Sequence, residues 1–130
     1  MTAGQVDELA GNLAAVWNLM GDYARFMDGR DAAALSTLFG ASGVLAVGER
    51  EITGPAALEA FAAQSPEGVH TQGVPTVERQ PDGGIRATSS FVFVNGTTHA
   101  IVAGEYRDDI VESGDGLVFA RRQILMRVRS

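Results

Sequence analysis

At 130 residues, 45% of them hydrophobic, the chain is sized for one folded domain, 1–130, with a sizeable core. A net charge of −6 with no basic run argues against phosphate-backbone binding and against an anionic membrane surface, so neither nucleic acid nor membrane is an expected partner. Cysteine is absent and all ten basic residues are arginine, which excludes disulfides, thiolate nucleophiles, Cys-based metal sites and lysine Schiff bases. No apolar run approaches the roughly 20 residues of a membrane span, and the N-terminus lacks a basic segment followed by an apolar one, so the expected location is cytoplasmic.

Residues 5–28 predict a helix: Val6, Leu9, Leu13, Val16, Trp17, Met20 and Met27 recur at three- and four-residue spacing as one apolar stripe, and Gly29 fits its stop. Asp31 fits the N-cap of a second helix running to about Phe39. A short strand is expected over 43–48. Gly54-Pro55 opens a third helix with an apolar edge at Leu58 and Phe61.

After Pro66 the texture becomes β. Extended segments are expected at Val69–Gln80, Ile85–Val94, Thr97–Val111 and Leu117–Val128. They are separated by Pro81-Asp82-Gly83-Gly84, by Asn95-Gly96 as a two-residue hairpin turn, and by Ser113-Gly114-Asp115-Gly116. This order predicts an α+β fold: a strongly curved antiparallel sheet packed as a cone against three N-terminal helices. A cone of this kind encloses an apolar pocket suited to a small hydrophobic molecule.

Several segments carry a resemblance when taken in order. They are Tyr23-Ala-Arg-Phe-Met-Asp28-Gly-Arg-Asp31 with Leu35 and Leu38-Phe39, Ile52-Thr53-Gly54-Pro55-Ala56-Ala57-Leu58, His70, Gly104-Glu105-Tyr106-Arg107-Asp108, and Gly116-Leu117-Val118-Phe119-Ala120-Arg121-Arg122. The chain resembles the nuclear transport factor 2-like superfamily, and within it the polyketide cyclase SnoaL-like branch with its scytalone dehydratase, bile-acid dehydratase and ketosteroid isomerase relatives. The resemblance implies a lyase or isomerase without cofactor and a site at Tyr23, Asp28, His70 and Arg122. It equally covers non-catalytic binding and dimerisation modules, because one fold hosts many functions. Leu117 stands where the family's last strand often carries Trp. The family's sheet carboxylate has no counterpart in Ile85–Val94, which offers only Thr88, Ser89 and Ser90.

Read as chemistry, Tyr23 and Asp28 lie about 140° apart on an ideal helix and flank the stripe on opposite edges, so they converge only if the helix end turns. The alternative for the pair is a core-edge tyrosine and a surface aspartate. His70 opens a strand, with Gln72, Val74 and Thr76 on its face, and suits a general base; its alternative is a rim histidine bonded to backbone. Arg121 and Arg122 face opposite sides of a strand, and family register selects Arg122 as the inward one. Both could instead be solvent-facing. Asp31 is read as a cap and His99 as a strand-end surface group. Tyr106 and Asp108 share a face, at the pocket mouth or at a dimer interface.

No metal or cofactor is expected, since no ligand spacing links His70 with His99. The expected activity is acid/base chemistry on a hydrophobic cyclic carbonyl compound, with dehydration favoured over isomerisation or cyclisation. The alternative is a non-catalytic module of the same fold. Val92, Val94, Ile101, Ile124 and Met126 predict an apolar outer sheet face and a homodimer through it.

Overall fold

In the computed structural model, which describes residues 1–114 and 116–130, the first helix (α1, Ala3–Asp28) begins at a capping box. The Thr2 hydroxyl accepts from the Gln5 N–H, and the Gln5 side chain accepts from the Thr2 N–H. Its buried face is Val16, Leu19, Met20, Tyr23 and Met27. Residues 3–11 are all exposed, because the first turns overhang the core, so Val6 and Leu9 leave the predicted stripe; Trp17, further along the helix, is exposed and leaves it too. The helix ends at Gly29 in a right-handed conformation, and the reversal falls on Arg30, with φ +57°.

Arg30 then crosses to the third helix and donates to the carbonyls of Ala63 and Ser65. The second helix (α2, Ala32–Ser36) is capped by Asp31, whose Oδ1 accepts from the Ala34 N–H. It stops short of the expected Phe39. The hydroxyls of Ser36 and Thr37 bond back to Ala33 and Ala34, and the Leu38 carbonyl accepts from the Phe119 N–H, which draws the chain into the sheet. Phe39 thus opens β1 (Phe39–Val47). Gly48, at φ +60°, turns it into a second strand the sequence reading missed (β2, Arg50–Thr53). α3 (Pro55–Gln64) follows as expected.

The predicted 69–80 strand is two, β3 (Gly68–Gln72) and β4 (Thr76–Arg79), interrupted at Pro75, which has no N–H to give a ladder. Both pair with β5 (Ile85–Asn95). The turn after β5 is longer than two residues. Asn95 N–H donates to the Ala100 carbonyl, its Oδ1 gathers the N–H groups of Thr97 and Thr98, and exposed His99 takes φ +61°. β6 therefore starts at Ile101 and runs to Ser113, and β7 spans Gly116–Arg129. Asp115, in the predicted turn between them, lies outside the described residues.

The sheet order is β2-β1-β7-β6-β5-β3, with β4 also on β5. All pairings are antiparallel except β1–β7, which is parallel and brings the N-terminal hairpin onto the C-terminal strand. The fold is α+β, an open curved sheet with the helices across its concave face. Among the described residues no helix is long and apolar enough to cross a membrane.

Two irregularities in β7 matter most for the site. The β6–β7 register jumps once between Asp109 and Ile110 and once between Ala103 and Gly104, leaving Ala120 and Arg127 as extra residues on β7. Each bulge bends the strand and inverts which residues face inward. At the second, Gly104 is in such close contact with β7 that a Cβ there would sit 1.9 Å from the Leu125 carbonyl oxygen. Gly104→Ala should therefore destabilise the protein by about 2 kcal/mol or more, read as a lower urea midpoint. Gly116→Ala, where a Cβ meets nothing within 4 Å, is the control and should shift it little.

Candidate active site

A cavity of about 350 Å³ lies between the concave face and the helices, near the small end of the ~300–1,000 Å³ range of small-molecule sites. Met27, Val47, Phe91, Phe93, Val102 and Ile124 belong to its apolar wall. Tyr23, His70 and Tyr106 bring polar atoms to that wall, and Ser65, Asn95, Arg129 and Ser130 form a second polar group.

Asp28 is the last residue of α1, where the partial negative charge of the helix terminus disfavours a carboxylate. β3 compensates it. The His70 backbone N–H reaches both oxygens, at 3.1 and 3.0 Å, and His70 Nδ1 lies 2.6 Å from Oδ1. An ionised carboxylate only accepts, so Nδ1 is the nitrogen that carries a proton toward Asp28, and in the neutral imidazole Nε2 is the one with the lone pair. The pair is largely shielded, with side-chain exposures of 13% for His70 and 25% for Asp28. Phe93, the cross-strand partner of His70, packs its ring 4.6 Å from the imidazole and Tyr23 presents its ring edge-on at 6.4 Å, so the imidazole orientation is fixed from three sides.

Tyr23 is 1% exposed, and burial pushes its hydroxyl pKa up to about 12 against the pull of Arg122. Burial raises Tyr106 further still. Both are neutral phenols near pH 7 and can donate a hydrogen bond to a ligand oxygen.

Arg122 does not reach the cavity wall. Its guanidinium is fully buried below the aromatic floor, 3.6 Å from the ring centre of Tyr106, 4.2 Å from Tyr23 and 4.7 Å from Phe119. Each desolvated cation–π contact of this kind contributes up to about 2 kcal/mol. Nη2 donates to Gln72 Oε1 at 3.0 Å, and Gln72 Nε2 in turn donates to the Met20 carbonyl at 2.7 Å. Nε lies 3.1 Å from Asp108 Oδ1, but the N–H is not aimed at that oxygen, so the contact is an ion pair by proximity and not a hydrogen bond. Burial raises the Asp108 pKa to about 6, more than the adjacent Arg122 lowers it.

The sequence pattern of the SnoaL-like domain matches residues 11–123. The chain belongs to the SnoaL-like family. Solved structures agree in fold. A variant of Rv3472 from Mycobacterium tuberculosis, a protein of unknown function, superposes with a TM-score of 0.86 at 20% identity, covering 94% of this chain and 75% of that one. The hexachlorocyclohexane dehydrochlorinase LinA-type3 from Novosphingobium barchaimii gives 0.79 at 17% identity, with 97% and 92% covered. ActVI-ORFA from Streptomyces coelicolor gives 0.74 at 23%, with 89% and 97% covered. At these identities the likeness speaks for the fold alone. Comparison with functionally curated proteins gave no match.

Of the four residues singled out in this SnoaL-like chain, Asp28 and His70 are in direct contact and Tyr23 lines the same cavity as His70. Arg122 turns inward as register suggested, while Arg121 faces out toward Glu51. Arg122 binds Asp108 and Gln72, however, and not Asp28. Asp108 corrects a second expectation. The sheet does carry a buried carboxylate, one strand over from where it was sought, and it lies neither at the pocket mouth nor on an exterior face. Its signal was the i, i+2 spacing from Tyr106. Of the His70 face, Gln72 points inward as predicted, but Val74 and Thr76 are exposed beyond the strand break.

The Asp108 pKa has a stability consequence. A carboxyl raised from 3.8 to about 6 on folding contributes stability that is fully present below pH 3.8 and is lost as pH rises through 6. Arg122→Met removes the only charge opposing that loss. It should cost about 3–5 kcal/mol at pH 7.5 and distinctly less at pH 4, and adding Asp108→Asn should recover much of the loss at pH 7.5. Urea unfolding at both pH values checks this; equal costs at the two would contradict it.

Proposed function

We propose that this protein is a small lyase or isomerase performing proton transfer next to a carbonyl on a hydrophobic cyclic substrate, with dehydration as the favoured reaction. The observation that carries this reading is the 2.6 Å Asp28–His70 contact at the wall of an apolar cavity shared with Tyr23. Asp28 holds the imidazole as the tautomer whose Nε2 can accept a proton, and it stabilises the imidazolium that results. Tyr23, kept protonated by burial, donates to the carbonyl oxygen as negative charge develops there.

In a dehydration, Nε2 takes the proton α to the carbonyl, and the C–H electrons move into an enolate held by Tyr23. The enolate then re-forms the carbonyl, a C=C bond forms, and the β C–O bond breaks. The departing hydroxyl takes the proton back from His70 and leaves as water. Asp108 and Arg122 act from below the floor: the cation fixes the Tyr23 ring and keeps its hydroxyl a good donor.

A passive binding module would be the better reading if His70 lay on the outer surface. Its place on the cavity wall supports catalysis. A panel of cyclic β-hydroxy ketones is the direct assay. His70→Ala should lower kcat by about 10²–10⁴ and Tyr23→Phe by about 10²–10³, while both variants keep the wild-type fold. Wild-type-like turnover in His70→Ala would end the mechanism.

Homodimerisation belongs to the same proposal. Val92, Val94, Ile101 and Val128 are 38–58% exposed on the sheet's outer face. Ile124 and Met126, expected to join them, turn inward and line the cavity instead. Sedimentation should find a dimer at micromolar concentration; a monomer there would remove this element.

A further inference from the structure

The polar side chains of the cavity wall include a largely buried set and, four residues away along β6, a more exposed set that carries an arginine. The first is Tyr23, Tyr106 and His70. The second, where β7 ends beside the β5–β6 turn, holds Arg129 and Asn95. Among the described residues no Asp or Glu lines the cavity, although the chain carries 16 acidic residues and a net charge of −6, and Arg129 is the one arginine that does.

That arginine is also unspent. The outward arginines of the sheet each have a carboxylate: Arg86 has Asp109, Arg107 and Arg127 share Glu105, and Arg121 has Glu51. Among the described residues Arg129 has none within ion-pair distance, and its one side-chain hydrogen bond among them is to the Met126 thioether, a weak acceptor that leaves the charge uncompensated. Asn95 uses its side-chain oxygen on the Thr97 and Thr98 N–H groups, so its amide hydrogens remain available as donors. The bulge at Arg127 puts Arg129 here; without it, strict alternation from Met126 would send Arg129 to the outer face.

We propose that the cavity selects a ring compound bearing a carboxylate, which Arg129 holds at the rim while the opposite end of the molecule meets Tyr23 and His70. Register sets the span. Tyr106 pairs with Ile124 and Val102 pairs with Arg129, four residues apart on β6, or roughly 13 Å at ~3.3 Å per residue. Allowing for the length of the arginine side chain, this leaves room for a two-ring body. The inference rests on the reading of this cavity as the reactive site, and it adds a specificity residue and a substrate class.

The test is calorimetric binding of 2-naphthylacetate and of its neutral near-isostere 2-naphthylacetamide. The wild type should bind the acid about tenfold more tightly than the amide, as a charge-assisted bidentate contact predicts. Arg129→Gln should erase that preference by weakening the acid alone, with the thermal midpoint unchanged. His70→Ala should retain it; a preference that disappears with His70 would assign the anion to the imidazole and overturn the proposal. So would equal affinities in the wild type, a preference that survives Arg129→Gln, or no saturable binding of the acid. The two readings fail separately. An intact acid preference without turnover on any ketone removes the catalytic reading alone, and turnover with equal kcat/KM for acid and amide substrates removes this one alone.

Discussion

A guanidinium with no access to water has to be surrounded, and Arg122 recruits its surroundings from four of the elements that build the site. Taking a cation out of water costs several kcal/mol even after relaxation, so it persists only where aromatic faces and acceptors replace hydration. Tyr23 comes from α1, Gln72 from β3, Tyr106 and Asp108 from β6, and Phe119 from β7 itself. Gln72 extends the connection to the Met20 carbonyl on α1. The position of α1 across the sheet is therefore tied to the position of β3, and these two elements carry Asp28 and His70. The Asp28–His70 contact is assembled at one end of an arrangement whose other end is the buried cation.

This separation gives two polar groups different duties. The Asp108–Arg122 pair is dry and touches no cavity surface, so its charges act through the rings above it. The Asp28–His70 pair is partly accessible, and His70 stands on the cavity wall. Because burial outweighs the pull of Arg122 on Asp108, the pair is a cost to stability near neutral pH. Such a cost is tolerable where it orients a site, since functional groups are commonly held at the expense of stability.

The helices, the β5–β6–β7 meander and the residues Tyr23, Asp28 and His70 were legible because each rests on a local signal: a 3.6-residue stripe, a cap, a turn, or a family position. Phe119 and Arg122 show where local signals end. Both face inward although they are three residues apart, which alternation forbids; the bulge at Ala120 resolves it, and nothing in Ala120 itself announces a bulge. The same inversion at Arg127 brought Arg129 onto the cavity face, and Ile124 and Met126 were assigned outward because β7 was read without its register. Asp108 was hidden for a different reason. A carboxylate on a strand ordinarily signals a solvent face, and its burial depends on a partner fourteen positions later that only β6–β7 pairing reveals.

The two bulges thus put two arginines on one face of one strand at different depths, and depth decides what each can do. Arg122 sits in a low-dielectric interior where its field is strong, but that field is largely taken up by Asp108 and by three ring faces. Arg129 sits at the solvent edge, where the field is weaker and unclaimed. A cation meant to organise a scaffold must have its partners built in, and one meant to receive a ligand must not. By that criterion the deep arginine belongs to the architecture, and the rim arginine meets the condition that the proposed carboxylate recognition requires, although the sequence offers the two as similar residues at the end of a single strand.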